Sequence, residues 1–260
     1  MKRTIKGLTA MLISLLVGTI IALGSMIITG AQLNTSVANA PRLILIGFLV
    51  TFLDPVAILL YVMAIALIVL DSRYFGTRHR RLTITALGCF LLWACANIFG
   101  FLPLSLLGMQ LGSLALIQTG QMVKATAALL QYMVPLLLVV HLTTGRERQL
   151  LYLAAGLTVV GNFFVVTLPI STIQLAPVDV MGQTWYMMEV LVDYTQGIYP
   201  LLLALGWMGG ALYALVYALL RRQLRYTLNT TLVPGATITP TIGAGTGKHR
   251  IPTLGGEVYE

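Results

Sequence analysis

Five side chains stand in or beside long apolar runs, where a polar group needs a reason: Asp54, Gln121, Lys124, Glu189 and Asp193. Asp54 is the acidic residue placed well inside such a run. A carboxylate in hydrocarbon costs roughly 2.5 to 3.5 kcal/mol on insertion scales unless it is protonated, paired or hydrated. Pro55 follows it directly, removes a backbone donor and favours a kink, which leaves carbonyls one turn earlier free for water or an ion. The competing reading puts Asp54 close enough to the outer end of its span to reach headgroup water.

Two further polar groupings accompany it. Glu189, Asp193 and Gln196 stand at i, i+4 and i+7, so a helix would carry them on one face, among Trp185, Tyr186, Tyr194 and Tyr199. Neighbouring carboxylates raise one another's pKa and can hold a cation or proton. Aromatic residues beside acids are also what an ordinary interfacial helix presents. Gln110, Gln118, Gln121, Lys124 and Gln131 would share one face within about 140° if that stretch is helical. The chain from Leu104 to Lys124 is too apolar for an exposed loop and reads as an extended helix top or a re-entrant segment lining a cavity. Glutamines on such a face also serve as interhelical hydrogen-bonding groups. Asp54, Lys124, Glu189, Asp193 and Gln121 together form the expected substrate or ion site, in the outer half of the molecule.

Other chemistries find little support. The three histidines, His79, His141 and His249, are too few and too scattered for b-type haem, a copper or di-iron core, or a Ser-His hydrolase. Cys89 and Cys95 are six residues apart on different helix faces and form neither a disulfide nor a CxxC metal pair. Residues 243–248 read GAGTGK, but Ile242 and His249 break the phosphate-loop pattern at both ends. No catalytic residue, metal or cofactor is expected.

The elements that must position these groups are six apolar runs, Leu8–Thr29, Leu43–Leu70, Ile84–Met109, Ala125–Leu142, Leu150–Ile170 and Ile198–Leu220. Each is long enough to cross roughly 30 Å of hydrocarbon as a helix. They are apolar on every face, which excludes the alternation of a membrane barrel, so the predicted fold is an all-α integral membrane bundle of about six transmembrane helices. Hydrophobic residues make up 58% of the chain and charged residues 9%, a balance that no soluble core explains.

Basic residues fall in clusters: Lys2, Arg3 and Lys6; Arg73, Arg78, Arg80 and Arg81; Arg146 and Arg148; Arg221, Arg222, Arg225, Lys248 and Arg250. Six spans with both termini in the cytoplasm put all of these on one side, leaving Arg42 and Lys124 on the other. The net charge of +8 is thereby a topology signal, and nucleic acid is not an expected partner because the charges are divided among short loops. An anionic lipid headgroup at Arg78, Arg80 and Arg81 is a plausible partner beside the bilayer itself. The first run resembles a secretory signal with Ala38-Asn39-Ala40 as a cleavage site, but its length and Pro41 favour an uncleaved span.

Gly206 with Gly210, and Gly18 with Ala22, are small-residue pairs that permit close helix approach, and Asn97 and Asn162 are expected to bond between helices. Residues 1–225 form the predicted membrane domain, and 226–260 a Gly-, Pro- and Thr-rich cytoplasmic tail, extended and docked on a partner or on the bundle. The leading expectation is a non-catalytic subunit of a larger membrane assembly, bioenergetic or transport, in a prokaryotic plasma membrane. The alternative is a solute or ion permease, or the membrane component of a transporter, working through the outer polar site.

Overall fold

The computed structural model describes residues 1–33, 40–180, 183–190 and 197–231, with side chains for 1–24, 52–179, 184–186 and 197–229. Six helices in it are long and apolar enough to cross a membrane. In chain order the elements are α1 (Lys2–Leu33), α2 (Ala40–Asp71), α3 (Thr77–Cys95), α4 (Leu102–Leu111), α5 (Leu114–Val139), α6 (Gly145–Thr167), strands β1 (Ile173–Val180) and β2 (Gln183–Val190), and α7 (Tyr199–Thr231). A widened π-type turn over Ala96–Phe101 joins α3 to α4, so the two act as one long span. Packing runs α1 on α2, α2 on α3, α3 and α4 on α5, α5 on α6, α6 on α7, and α7 back on α1, which closes the helices into a ring.

Gly112 ends α4 in the left-handed conformation at φ 63°, and Leu114 begins α5 two residues later. The segment 104–124 is therefore the end of one helix, a tight turn and the start of the next. This moves the start of the fourth span from Ala125 to Leu114 and splits the expected glutamine stripe, with Gln110 on α4 and Gln118 to Gln131 on α5.

The segment before α7 also departs from expectation. The described chain is mostly helical, as expected, but here β1 and β2 make an antiparallel hairpin, with Ile173 opposite Val190 and Gln174 opposite Glu189. Its β-branched and aromatic residues, Ile173, Val178, Thr184, Trp185, Tyr186 and Val190, suit a pleated surface. The hairpin lies against α4 and α5. Ile117, Ile170 and Ile173 form a small apolar cluster beneath it, and the Tyr186 ring fills the space beside Gly112. Glu189 is thus a strand residue and does not share a helical face with Asp193. Asp193 and Gln196 lie outside the described residues. At the other end, α7 runs on through Thr231, so Tyr226 to Thr231 are helical, contrary to the predicted extended tail. The rest of the tail lies outside the described residues.

Three contacts bring the basic clusters to one end of the ring. The Met1 amine is paired with Asp71, whose Oδ2 also accepts from the Thr4 N–H at 2.9 Å and the Thr4 hydroxyl at 3.1 Å. The His79 and His141 rings stand 5.9 Å apart, joining the start of α3 to the turn after α5. Gln223 Nε2 donates to Glu147 Oε1 at 2.5 Å, joining α7 to the start of α6.

The main core fills the half of the bundle nearest this end: Leu8 and Met11 of α1, Ile65 and Ile68 of α2, Val134 and Leu138 of α5, Leu151 of α6, and Tyr213, Tyr217 and Leu220 of α7 are almost completely buried. Two polar contacts lock it. Pro135, inside α5, has no N–H to offer the Gln131 carbonyl, and the Tyr61 hydroxyl reaches that oxygen from α2 at 3.4 Å. The Tyr217 hydroxyl donates to the Pro135 carbonyl at 2.8 Å from α7.

Away from the basic end, α6 and α7 meet along glycines. A Cβ built on Gly161 would lie 2.3 Å from the Gly206 nitrogen, and one on Gly209 would lie 2.3 Å from Thr158 Oγ1. The close pair on α7 is thus Gly206 with Gly209. Gly210 faces open space, because a three-residue step keeps the α6 side of the helix while Gly210 turns past it, and no described atom lies within 4 Å of a Cβ built on Gly18. Asn97 bonds within its own helix, Nδ2 to the Trp93 carbonyl at 2.8 Å, where the widened turn begins. Asn162 lies against Gly206 across the α6–α7 seam.

Candidate functional site

Asp54 follows the inward face of α2. It precedes Tyr61 by seven residues and Ile68 by fourteen, so the three lie within about 40° of one another on the helix. Ile68 is fully buried, Tyr61 is half-buried and Asp54 is exposed. Lys124 repeats this on α5, standing seven residues after Ile117 and fourteen before Leu138, both buried, yet itself exposed. The face that seals the core near the basic end therefore continues outward on both helices into an uncovered stretch, and each stretch carries a charge.

Among the described residues no ion pair engages Asp54 or Lys124. The Lys124 ammonium sits 4.9 Å from the centre of the Phe101 ring, at the end of the widened turn, a cation–π contact that orients it toward the α3–α4 span. Gln121 is half-buried one turn before it on α5. Gln118 Nε2 donates to the Ile170 carbonyl at 3.2 Å, tying α5 to the base of the hairpin, which is the structural role weighed for these glutamines. Glu189 stands in β2 opposite Gln174, and Asp193 is outside the described residues. Of the expected five, two share the property of being inward-facing and exposed.

Sequence reasoning missed a second polar region, the interior tyrosines. Tyr61, Tyr213 and Tyr217 are mutual neighbours where α2 and α7 face α5, with the Tyr213 and Tyr217 rings stacked at 6.1 Å and the Tyr213 hydroxyl buried without a partner among the described residues. Pro135 was the signal available: a proline inside an apolar helix exposes a carbonyl that some donor must satisfy. It missed His79 also. The spacing His79, Thr83, Ala86, Phe90 places all four on one face of α3, and all four are buried. The surrounding arginines disguised that face as an interfacial run.

His141 lies in the turn after α5. Its pKa is held below the ordinary imidazole range, first by burial and then by the positive charges of Arg78 and Arg148. Cys89 and Cys95 are separate free thiols. No protein-family model, curated protein or solved structure matches the chain.

Proposed function

We propose that this chain is a non-catalytic membrane subunit of a larger assembly, whose outer half is completed by helices of another chain. The observation that supports it is the pair of inward faces on α2 and α5 that leave the core uncovered and carry Asp54 and Lys124 into the open. A lone charge facing hydrocarbon is costly, and a partner helix offering polar groups there removes the cost. The test is site-specific photocrosslinking in membranes from residues beside Asp54 and Lys124. A discrete heterologous product at both positions fits the reading; products with lipid alone at both positions end it.

The same placement favours a second reading, a permease in which the two faces line a water-filled vestibule and Asp54 binds a cation or proton. In that case Asp54→Asn abolishes uptake or proton coupling while the protein inserts normally. Unchanged flux in reconstituted vesicles removes this alternative.

A further inference from the structure

At the basic end, the first turn of α3 and the turn after α5 bring four nitrogen-bearing side chains together. His79 is fully buried, and neither of its ring nitrogens has a partner among the described residues. Its ring centre lies 5.2 Å from that of Phe75, with the two rings steeply inclined, and 5.9 Å from that of His141. Arg78 and Arg148 lie close enough for their charges to act on His141, and both are exposed. Arg148 is held in place by its Nη2 donating to the Thr143 carbonyl at 2.7 Å.

The backbone adds to this. No side chain caps α3, whose first bond from within the helix runs from the Arg80 N–H to the Gly76 carbonyl. The N–H groups of the first turn therefore point outward at the positive end of a 19-residue helix. Asp71 is turned to the Met1 amine and Thr4, and Glu147 accepts from Gln223 through Oε1, while its buried Oε2 has no partner among the described residues. Two guanidinium groups beside the imidazoles disfavour a metal cation and favour an anion.

We infer that Arg78, His79, His141 and Arg148 form a binding site for a phosphate oxyanion, with the guanidinium groups at the mouth and the imidazoles at the floor. The occupant is the phosphate of an anionic lipid headgroup or free phosphate. Either would supply the acceptor that His79 lacks, and either would bind more tightly to the protonated imidazoles. This inference is independent of the subunit reading, since it concerns the opposite end of the bundle.

The experiment is NMR titration of the full chain, labelled with 13C-histidine, in phosphatidylcholine nanodiscs. The chain has three histidines. His79→Gln and His141→Gln assign the two signals of interest. Replacing part of the lipid with phosphatidylglycerol, or adding inorganic phosphate at fixed ionic strength, should raise the His141 midpoint by about one pH unit, a roughly tenfold preference for the protonated form. Arg78→Gln and Arg148→Gln should each weaken the response about tenfold, as loss of a charge-assisted hydrogen bond does. A response to phosphatidylglycerol alone assigns a headgroup, and a response to inorganic phosphate assigns the free ion. No response to either overturns the site. So does a response undiminished in the double arginine variant, which would report only the surface potential of the membrane.

Discussion

The two halves of the bundle are held together differently. Near the basic end, side chains from α1, α2, α3, α5, α6 and α7 meet in one continuous core closed by Tyr61 and Tyr217. Toward the other end, cohesion is local: a glycine seam between α6 and α7, and an isoleucine cluster with the Gly112–Tyr186 contact under the hairpin. Among the described residues α1 has no buried side chain between Leu15 and Gly24, and α2 has none between Phe52 and Val56. A shared core resists opening because every helix contributes to it, whereas pairwise seams leave the faces between them available. The charges Asp54 and Lys124 lie where no shared core forms.

The sharpest test of this contrast is the seam. Gly161→Val would drive a side chain into the backbone of α7, which cannot swing aside as a flexible side chain would. It should cost about 3 kcal/mol, the upper range for overpacking, read as a fall in thermal or denaturant midpoint in detergent. Gly210→Val, on the open side of the same helix, should be nearly neutral. Equal losses at the two positions would mean that the α6–α7 approach is not the source of cohesion there.

Next in size is the tyrosine lock. Tyr217→Phe leaves the ring in place and removes one hydrogen bond, so a loss of about 1 kcal/mol is expected. Tyr61→Phe removes a longer bond, 3.4 Å against 2.8 Å, and should cost less. A reversed order would assign the main role to satisfaction of the Gln131 carbonyl.

Acid should loosen the basic half selectively. His141 is held below the ordinary imidazole value of about 6.5 by burial and by Arg78 and Arg148, so the unfolded chain takes up its proton first. Stability from this group is therefore complete above that value and declines as the pH falls below it. His141→Gln should flatten the decline in a series of melting curves with phosphate and anionic lipid absent. An unchanged slope would place the acid sensitivity elsewhere.

The smallest effect on stability is expected at the charges of the open half. In detergent, where water reaches both exposed positions, Asp54→Asn and Lys124→Gln should each shift stability by less than about 0.5 kcal/mol, as for exposed surface groups. A large loss at either would show it to be a structural partner in the bundle, and its part in the proposed partner interface or vestibule would lapse.

Helix number and the grouping of basic residues were legible in the sequence, because both depend on amounts: enough consecutive apolar residues to span hydrocarbon, and enough Lys and Arg between them to mark one end. The inward position of Asp54 was half legible. Its spacing from Tyr61 and Ile68 is a matter of helical period, but which face looks inward depends on the neighbours that α2 meets. Tertiary structure alone decided the rest. The turn at Gly112 set where α5 begins, and so separated Gln110 from the other glutamines. The hairpin took Glu189 out of any helix, because a strand that packs on α4 and α5 gains contacts that a free interfacial helix would lack. His79 illustrates the limit most plainly: four residues of sequence mark it as part of a basic exposed run, and only the packing of Phe75 and His141 around its ring makes it a buried group in need of a partner.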